Sequence, residues 1–236
     1  MMIEKIEIDK KDYLSQAEIL IQQWYDFIQK RKLDKAISLC QSVIQSYKQI
    51  LKNRDWPKAT ENEYNNFLIL AITFKAFEDY AELGKITIQV KWDQDNYNLE
   101  AVWLKLWDSK DRLDSVRGRI QSNIVERIYS NLENLLDQYR QNFGNGLYAS
   151  PEILIKKEVC SICKNDIRAC SHIKGRWYDG SICYGIAEDI EMKTISLVTV
   201  PRDPRCRIWP WREKEDRVFE MAILTLFQVD NFLNDD

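Results

Sequence analysis

Apolar side chains recur every three or four positions through most of the first 150 residues, a spacing that predicts amphipathic helices. These helices are predicted at residues 10–30, 34–52, 61–83 and about 98–143. Thr60 and Glu63 have the spacing of a capping box, which predicts that the third helix begins there. Gly84 is expected to end that helix as its C-terminal glycine. The last helix is unusually long, and Gly118 is its weak point.

A different pattern occupies residues 85–92, KITIQVKW. Ile86, Ile88, Val90 and Trp92 alternate with polar residues, and this period of two predicts a β-strand. A single strand is not stable by itself, so we expect it to pair with strands from the C-terminal part of the chain.

After Pro151 the sequence pattern changes to short segments rich in β-branched and aromatic residues. Strands are predicted within residues 152–159, 176–186 and 192–200, followed by a final helix over about 213–233. No apolar run approaches the ~18 residues of a membrane span. The charged N-terminus also lacks the apolar stretch of a signal peptide, so we expect a soluble, cytoplasmic protein.

Four of the six cysteines lie between residues 160 and 183, together with the only histidine. In a reducing compartment such a cluster favours metal binding over disulfides, and a redox pair or buried thiols are weaker alternatives. Zinc prefers four Cys or His ligands in a tetrahedron. The spacing favours the ligand set Cys160, Cys163, Cys170 and His172, with Cys183 as the alternative ligand. Cys170 and His172 point to the same side if their segment is extended.

The predicted zinc is structural, because the available ligands are enough to close its coordination shell. The remaining cysteines, Cys40 and Cys206, are expected to be small buried side chains. The predicted fold class is α+β, with a mainly helical N-terminal region, a small zinc-stapled β-rich module and a C-terminal helix. The expected organisation is a helical region over 1–150 and a zinc module with its helix over 151–236, packed together as one unit.

Residues 150–208 resemble the Cys/His segment of tailed-phage prohead protease-like and related phage structural proteins. The resemblance is carried by Cys160, Cys163, Asp166, Cys170, His172, Gly175, Tyr178, Gly180, Cys183 and the strand Ser196-Leu197-Val198 with Pro201. One departure is Lys164, which stands where a glycine is expected after the second cysteine. The resemblance implies a phage-related zinc module used for binding. Protease activity is not expected, because a serine nucleophile needs a histidine base and the only histidine lies in the cluster.

We therefore expect a non-enzymatic interaction or adaptor protein that is phage-related or part of a phage–host defence complex. Trp and Arg are enriched at interface hot spots. They predict a partner surface at Arg202, Arg205, Arg207, Trp209 and Trp211. The alternative is nucleic-acid binding by the basic face of the zinc module, which adds Lys174 and Arg176. Residues 151–214 carry 12 basic and 9 acidic side chains, a modest excess. A zinc-dependent hydrolase is less favoured, and the oligomeric state is left open.

Overall fold

The fold is a bundle of helices followed by antiparallel strands, so the predicted α+β class is confirmed. The computed structural model describes residues 6–53, 59–89, 93 and 96–209. The helices in these ranges are α1 Tyr13–Gln29, α2 Leu33–Asn53, α3 Glu61–Thr87, α4 Asn96–Val116 and α5 Asn123–Phe143. The strands are β1 Leu147–Cys160, β2 Trp177–Tyr178, β3 Ser181–Ile182, β4 Gly185–Val198 and β5 Arg207–Ile208. No helix in the described ranges combines the length and apolarity needed to span a bilayer.

The chain divides into two compact units. The helical unit contains the described parts of residues 1–47 and 69–146 together with Trp209. The second unit contains the described parts of residues 48–68 and all of 147–208. It therefore combines the end of α2 and the start of α3 with the β-strands. The predicted boundary near residue 150 and the packing of two regions as one unit stay predictions.

Aromatic side chains fill the core of the helical unit. Trp24 of α1 stacks on Phe77 of α3 with ring centroids 4.2 Å apart, and Tyr80 meets the same indole edge-on at 6.0 Å. Trp103 of α4 packs against Tyr139 of α5 at 5.0 Å. Burying such large side chains contributes most of the free energy that holds helices together.

A buried carboxylate connects α3 and α4 in the helical unit. Asp79 is almost fully buried. It forms ion pairs with Arg112 at 2.5 Å, Lys105 at 3.0 Å and Lys75 at 3.3 Å. A buried charge is tolerated only when it is paired in this way.

The predicted strand at 85–92 is wrong over its first part, because α3 continues through Gly84 to Thr87. Leu83, Gly84 and Thr87 are all buried, which is a helical spacing. The Thr87 hydroxyl donates to the Leu83 carbonyl at 3.0 Å, and Lys85 forms an ion pair with Asp34 at 2.6 Å. Residues 88 and 89 lie in a turn and a bend, and residues 90–92 lie outside the described residues.

The predicted long helix over 98–143 is also wrong, because it is two helices separated by residues 117–122. The chain turns at Gly118, the weak point of the pattern, and α5 packs back against α4. Lys110 and Arg117 both contact the ring of Tyr129 of α5, at 4.6 and 4.0 Å from its centroid. Arg117 also reaches Glu126 at 3.0 Å across the turn. The turn lets both halves of the apolar stripe face one core.

The long strands β1 and β4 pair antiparallel from Tyr148–Val198 to Cys160–Gly185. A bulge lies beside Glu152 and Ile153. β5 adds a third strand at the Leu147–Tyr148 end, and β2 and β3 form a separate two-stranded hairpin. The predicted strands within 152–159 and 192–200 are confirmed, although the second belongs to a longer strand, Gly185–Val198. The predicted segment 176–186 is instead a hairpin, because the chain turns at Asp179 and Gly180 between β2 and β3. The predicted C-terminal helix over 213–233 lies outside the described residues.

Candidate metal centre

Four side chains of the second unit converge where β1 ends. The sulfur atoms of Cys160, Cys163 and Cys170 and a ring nitrogen of His172 all lie within 4.8 Å of one another. The Cys160 sulfur is 3.7 Å from His172 Nδ1. A tetrahedral zinc with Zn–S bonds of about 2.3 Å holds its sulfur ligands about 3.8 Å apart. The four side chains predicted from the sequence therefore lie close enough together to hold a metal ion.

A tight backbone turn presents the first two cysteines. The Lys164 N–H donates to the Cys160 carbonyl at 2.9 Å, and the Cys160 N–H donates to the Asn165 carbonyl at 2.8 Å. The Ile162 N–H points at the Cys160 sulfur at 3.4 Å. N–H groups directed at sulfur are favourable when the sulfur is a thiolate, which is the form that binds metal.

Lys164 adopts the left-handed conformation, with φ of 63°. This is the position at which the sequence lacks the expected glycine. Glycine adopts positive φ without a steric penalty, whereas a Cβ atom there costs about 1–2 kcal/mol. The Lys164 ammonium donates to the Ser161 carbonyl at 2.8 Å, which closes the same turn. The turn from Cys160 to Asn165 therefore forms although lysine, rather than glycine, occupies its left-handed position.

The loop around Cys170 brings Cys170 and His172 to the other two cysteines. It is a bend rather than the extended segment that the sequence predicted for Cys170 and His172. The Tyr178 ring packs edge-on against the His172 imidazole, with centroids 4.8 Å apart. The Tyr178 hydroxyl accepts a hydrogen bond from the Ile173 N–H at 3.0 Å. Tyr178 of β2 thus contacts both the His172 ring and the backbone N–H of the next residue, Ile173.

Cys183, the alternative ligand, lies between β3 and β4 and also reaches the cluster. Its sulfur is 3.7 Å from the Cys160 sulfur, and its side chain is fully buried. Backbone hydrogen bonds join Cys183 to Gly175 and Arg176, both at 2.8 Å. A fifth side chain, the Cys183 thiol, therefore adjoins the four-residue cluster at Cys160.

The thiols have unequal tendencies to ionise. Burial favours a neutral Cys160, but N–H groups of Cys163 and Ile162 outweigh it and lower the Cys160 pKa to about 6. Burial raises the pKa of Cys183 to about 11, and the adjacent Cys160 sulfur adds to the rise. The pKa of Cys170 is also raised, chiefly by burial. Thiolates this close repel one another, and a bound dication removes that repulsion.

Sequence reasoning missed the residues of α3 that hold the hairpin next to the cluster. Asn65 accepts a hydrogen bond from the Trp177 N–H at 2.9 Å and donates to the Trp177 carbonyl at 3.2 Å. Its amide also donates to the Glu61 carbonyl at 2.8 Å. The ring of Tyr64 stacks on the Trp177 indole at 6.3 Å. The sequence signal for this contact was the polar residue Asn65 among the aromatic residues of a buried helix face.

The residues of the predicted partner surface have different environments. Arg202 is exposed, whereas Arg205 forms an ion pair with Asp203 at 2.9 Å and Arg207 is buried. Trp209 is half-buried and meets the Tyr139 ring edge-on at 6.4 Å. Trp211 lies outside the described residues. Whether this segment meets a partner stays a prediction.

The other predicted positions are also located. Lys174 forms an ion pair with Glu158 at 2.6 Å, and Arg176 is half-buried and hydrogen-bonded through its backbone to Ile173 and Cys183. Cys40 is buried as predicted. Cys206 is exposed, which contradicts the prediction, because it lies in a short 3-10 turn at Pro204–Cys206 on the surface.

Comparisons of the chain with protein-family models, curated proteins and solved structures find no match.

Proposed function

We propose that this chain is a non-enzymatic interaction or adaptor protein whose β-module is stapled by one structural zinc ion. The observation that carries the zinc assignment is the convergence of three sulfur atoms and one imidazole nitrogen within 4.8 Å. Soft sulfur ligands in a tetrahedral set favour zinc over magnesium or calcium, which prefer oxygen. Four ligands fill the shell, and the buried Cys183 thiol adjoins it, so the arrangement favours a closed site.

A staple is needed because the module has little apolar core. β2 and β3 contain two residues each, and the loops that connect them to β1 and β4 carry the ligands. Such short elements do not bury enough surface to fold by themselves. In a site of this kind the metal contributes folding free energy, on the order of 10 kcal/mol.

Nucleic-acid binding is less well supported, because acidic side chains already neutralise much of the basic face. Lys174 pairs with Glu158, Arg168 pairs with Asp166 at 2.6 Å, and Arg205 pairs with Asp203. Phosphate binding draws its affinity from cations that release counterions on contact. Titration of labelled DNA and RNA at two salt concentrations tests this alternative, and tight, salt-sensitive binding would favour it.

The resemblance of residues 150–208 to phage proteins extends the proposal to a phage-related role or a defence complex in the cytoplasm. Its support is the motif alone.

Cobalt substitution tests whether the site is closed. Tetrahedral Co²⁺ bound by sulfur gives intense visible and charge-transfer bands. The proposal predicts bands that stay unchanged when cyanide or azide is added, because a closed shell has no exchangeable water. Bands that shift with added anion would indicate an open position and would favour the hydrolase alternative.

A further inference from the structure

The strands β1 and β4 form a ribbon whose two faces differ in chemistry. Residues that pair directly in an antiparallel ladder lie on the same face. Four successive pairs on one face are apolar, namely Ala149–Leu197, Pro151–Ile195, Ile153–Met192 and Ile155–Ile190. The intervening pairs on the opposite face include Ser150–Ser196, Glu152–Thr194 and Leu154–Glu191. We call the first of these the apolar ladder face.

Large side chains of the apolar ladder face are open to solvent. Six of them are between 45 and 64 % exposed, namely Ile153, Ile155, Ile190, Met192, Ile195 and Leu197. Together they present roughly 600 Å² of apolar surface, which is at the upper end of what a monomeric protein leaves uncovered. The apolar face of an amphipathic antiparallel sheet ordinarily packs on a core. A two-stranded ribbon is also marginal in water without such a cover.

We propose that a second copy of this chain packs on the apolar ladder face, so that two ribbons form a two-layer β-sandwich. Two such faces together bury about 1,200 Å², which exceeds the ~1,000 Å² expected of a specific interface. Sheets that pack face to face lie about 10 Å apart with interdigitated apolar side chains. This inference goes beyond the proposed function and does not depend on the metal being zinc.

Charge also favours a copy of the same chain. The ionic pair on this face, Lys157 with Glu188 at 2.6 Å, is neutral as a unit. Lys156 lies on the opposite face and pairs with Glu191 at 3.2 Å, so that its charge remains in water. Like faces therefore meet without net repulsion.

The arrangement of the apolar pairs suits a twofold axis. We place the axis between the two ribbons, perpendicular to the strands and at the Ile153–Met192 pair. The Ile155–Ile190 pair of one copy then lies over the Pro151–Ile195 pair of the other. Every contact is then made twice, as a symmetric dimer requires. The neutral Lys157–Glu188 pair comes to lie at the edge of the interface.

Sedimentation equilibrium of the metal-loaded full chain tests the proposal. The expected mass is twice 28.1 kDa at micromolar concentration. The variant Ile195→Glu should weaken the dimer at least ~100-fold, because a buried apolar side chain becomes charged on each subunit. Ser196→Glu is the next residue along the strand, lies on the polar face and should leave the dimer intact.

A monomeric wild-type chain at tens of micromolar overturns the proposal. If the apolar ladder face of this monomer does not bind a hydrophobic dye, the face is covered within the same chain. If the face of this monomer does bind the dye, the face would be a binding surface for a different protein. Metal content measured in the same samples separates the proposed dimer from the proposed zinc staple. A zinc-loaded monomer overturns only the dimer, and a zinc-free dimer overturns only the zinc staple.

Oxidation of Met192 provides a second test that needs no variant. Dilute peroxide converts an exposed methionine to its sulfoxide. In the dimer Met192 is at the centre of the interface, so its oxidation rate should fall as protein concentration rises. A rate that is the same at all concentrations would contradict the interface.

Discussion

Replacement of Asn65 by alanine should destabilise the β2–β3 hairpin beside the Cys/His cluster, although Asn65 is far from the cluster in sequence. The buried side chain makes hydrogen bonds to the backbone N–H and the carbonyl of Trp177. Asn65→Ala leaves both groups buried without these partners. Each of the two unsatisfied groups costs about 1–3 kcal/mol, so we expect the free energy of unfolding to fall by about 2–6 kcal/mol. Asn65→Asp retains the acceptor for the Trp177 N–H but sets a carboxylate oxygen against the Trp177 carbonyl.

Urea unfolding of the zinc-loaded chain measures the effect, with zinc release followed by a colorimetric chelator as the second signal. Both signals should shift to lower urea for Asn65→Ala and Asn65→Asp. Asn142→Ala is the matched control, because the Asn142 amide donates to the Gln138 carbonyl within its own helix at 2.9 Å. The reasoning is refuted if Asn65→Ala releases zinc at the same urea concentration as the wild type and Asn142→Ala.

Three further perturbations test other parts of the structure. Lys164→Gly should stabilise the zinc-loaded chain by ~1 kcal/mol, since glycine removes the penalty of a left-handed backbone; an unchanged urea midpoint would contradict this. Zinc affinity should rise from about pH 6 to 8, because burial raises the Cys170 pKa and the metal must displace its proton; chelator competition that gives a pH-independent constant would count against it. Asp79→Ala should lower the unfolding free energy by about 2 kcal/mol or more, because Arg112 and Lys105 lose a buried counter-charge; thermal unfolding checks this, and an undiminished midpoint would show the pairing to be dispensable.

Local signals predicted much of the fold. Thr60 and Glu63 form the expected capping box, in which the Thr60 N–H donates to the Glu63 carboxylate at 2.7 Å and the Glu63 N–H to the Thr60 hydroxyl at 3.3 Å. The short spacings among Cys160, Cys163, Cys170 and His172 likewise need only a few backbone turns to converge. Features whose physical cause lies within about ten residues were therefore accessible from the sequence.

The errors occurred where distant packing decides between local alternatives. Eight residues with alternating polarity, 85–92, fit a strand as well as a helix, and the burial of Leu83, Gly84 and Thr87 along one helical face resolves the choice. The stripe over 98–143 keeps its period across the turn at Gly118, so that periodicity alone cannot reveal the break. Asn65 could not be assigned to the β2–β3 hairpin because its partner, Trp177, follows 112 residues later.

The central claim is that a metal ion holds the β-module together. Elemental analysis of the purified and dialysed full chain, beside the double variant Cys160→Ser/Cys163→Ser, tests it most directly, because the variant leaves only three Cys and His donors. The account predicts about one zinc per wild-type chain and a marked loss of zinc in the double variant. A folded wild-type chain that contains no zinc, or a double variant that retains it fully, would contradict the account.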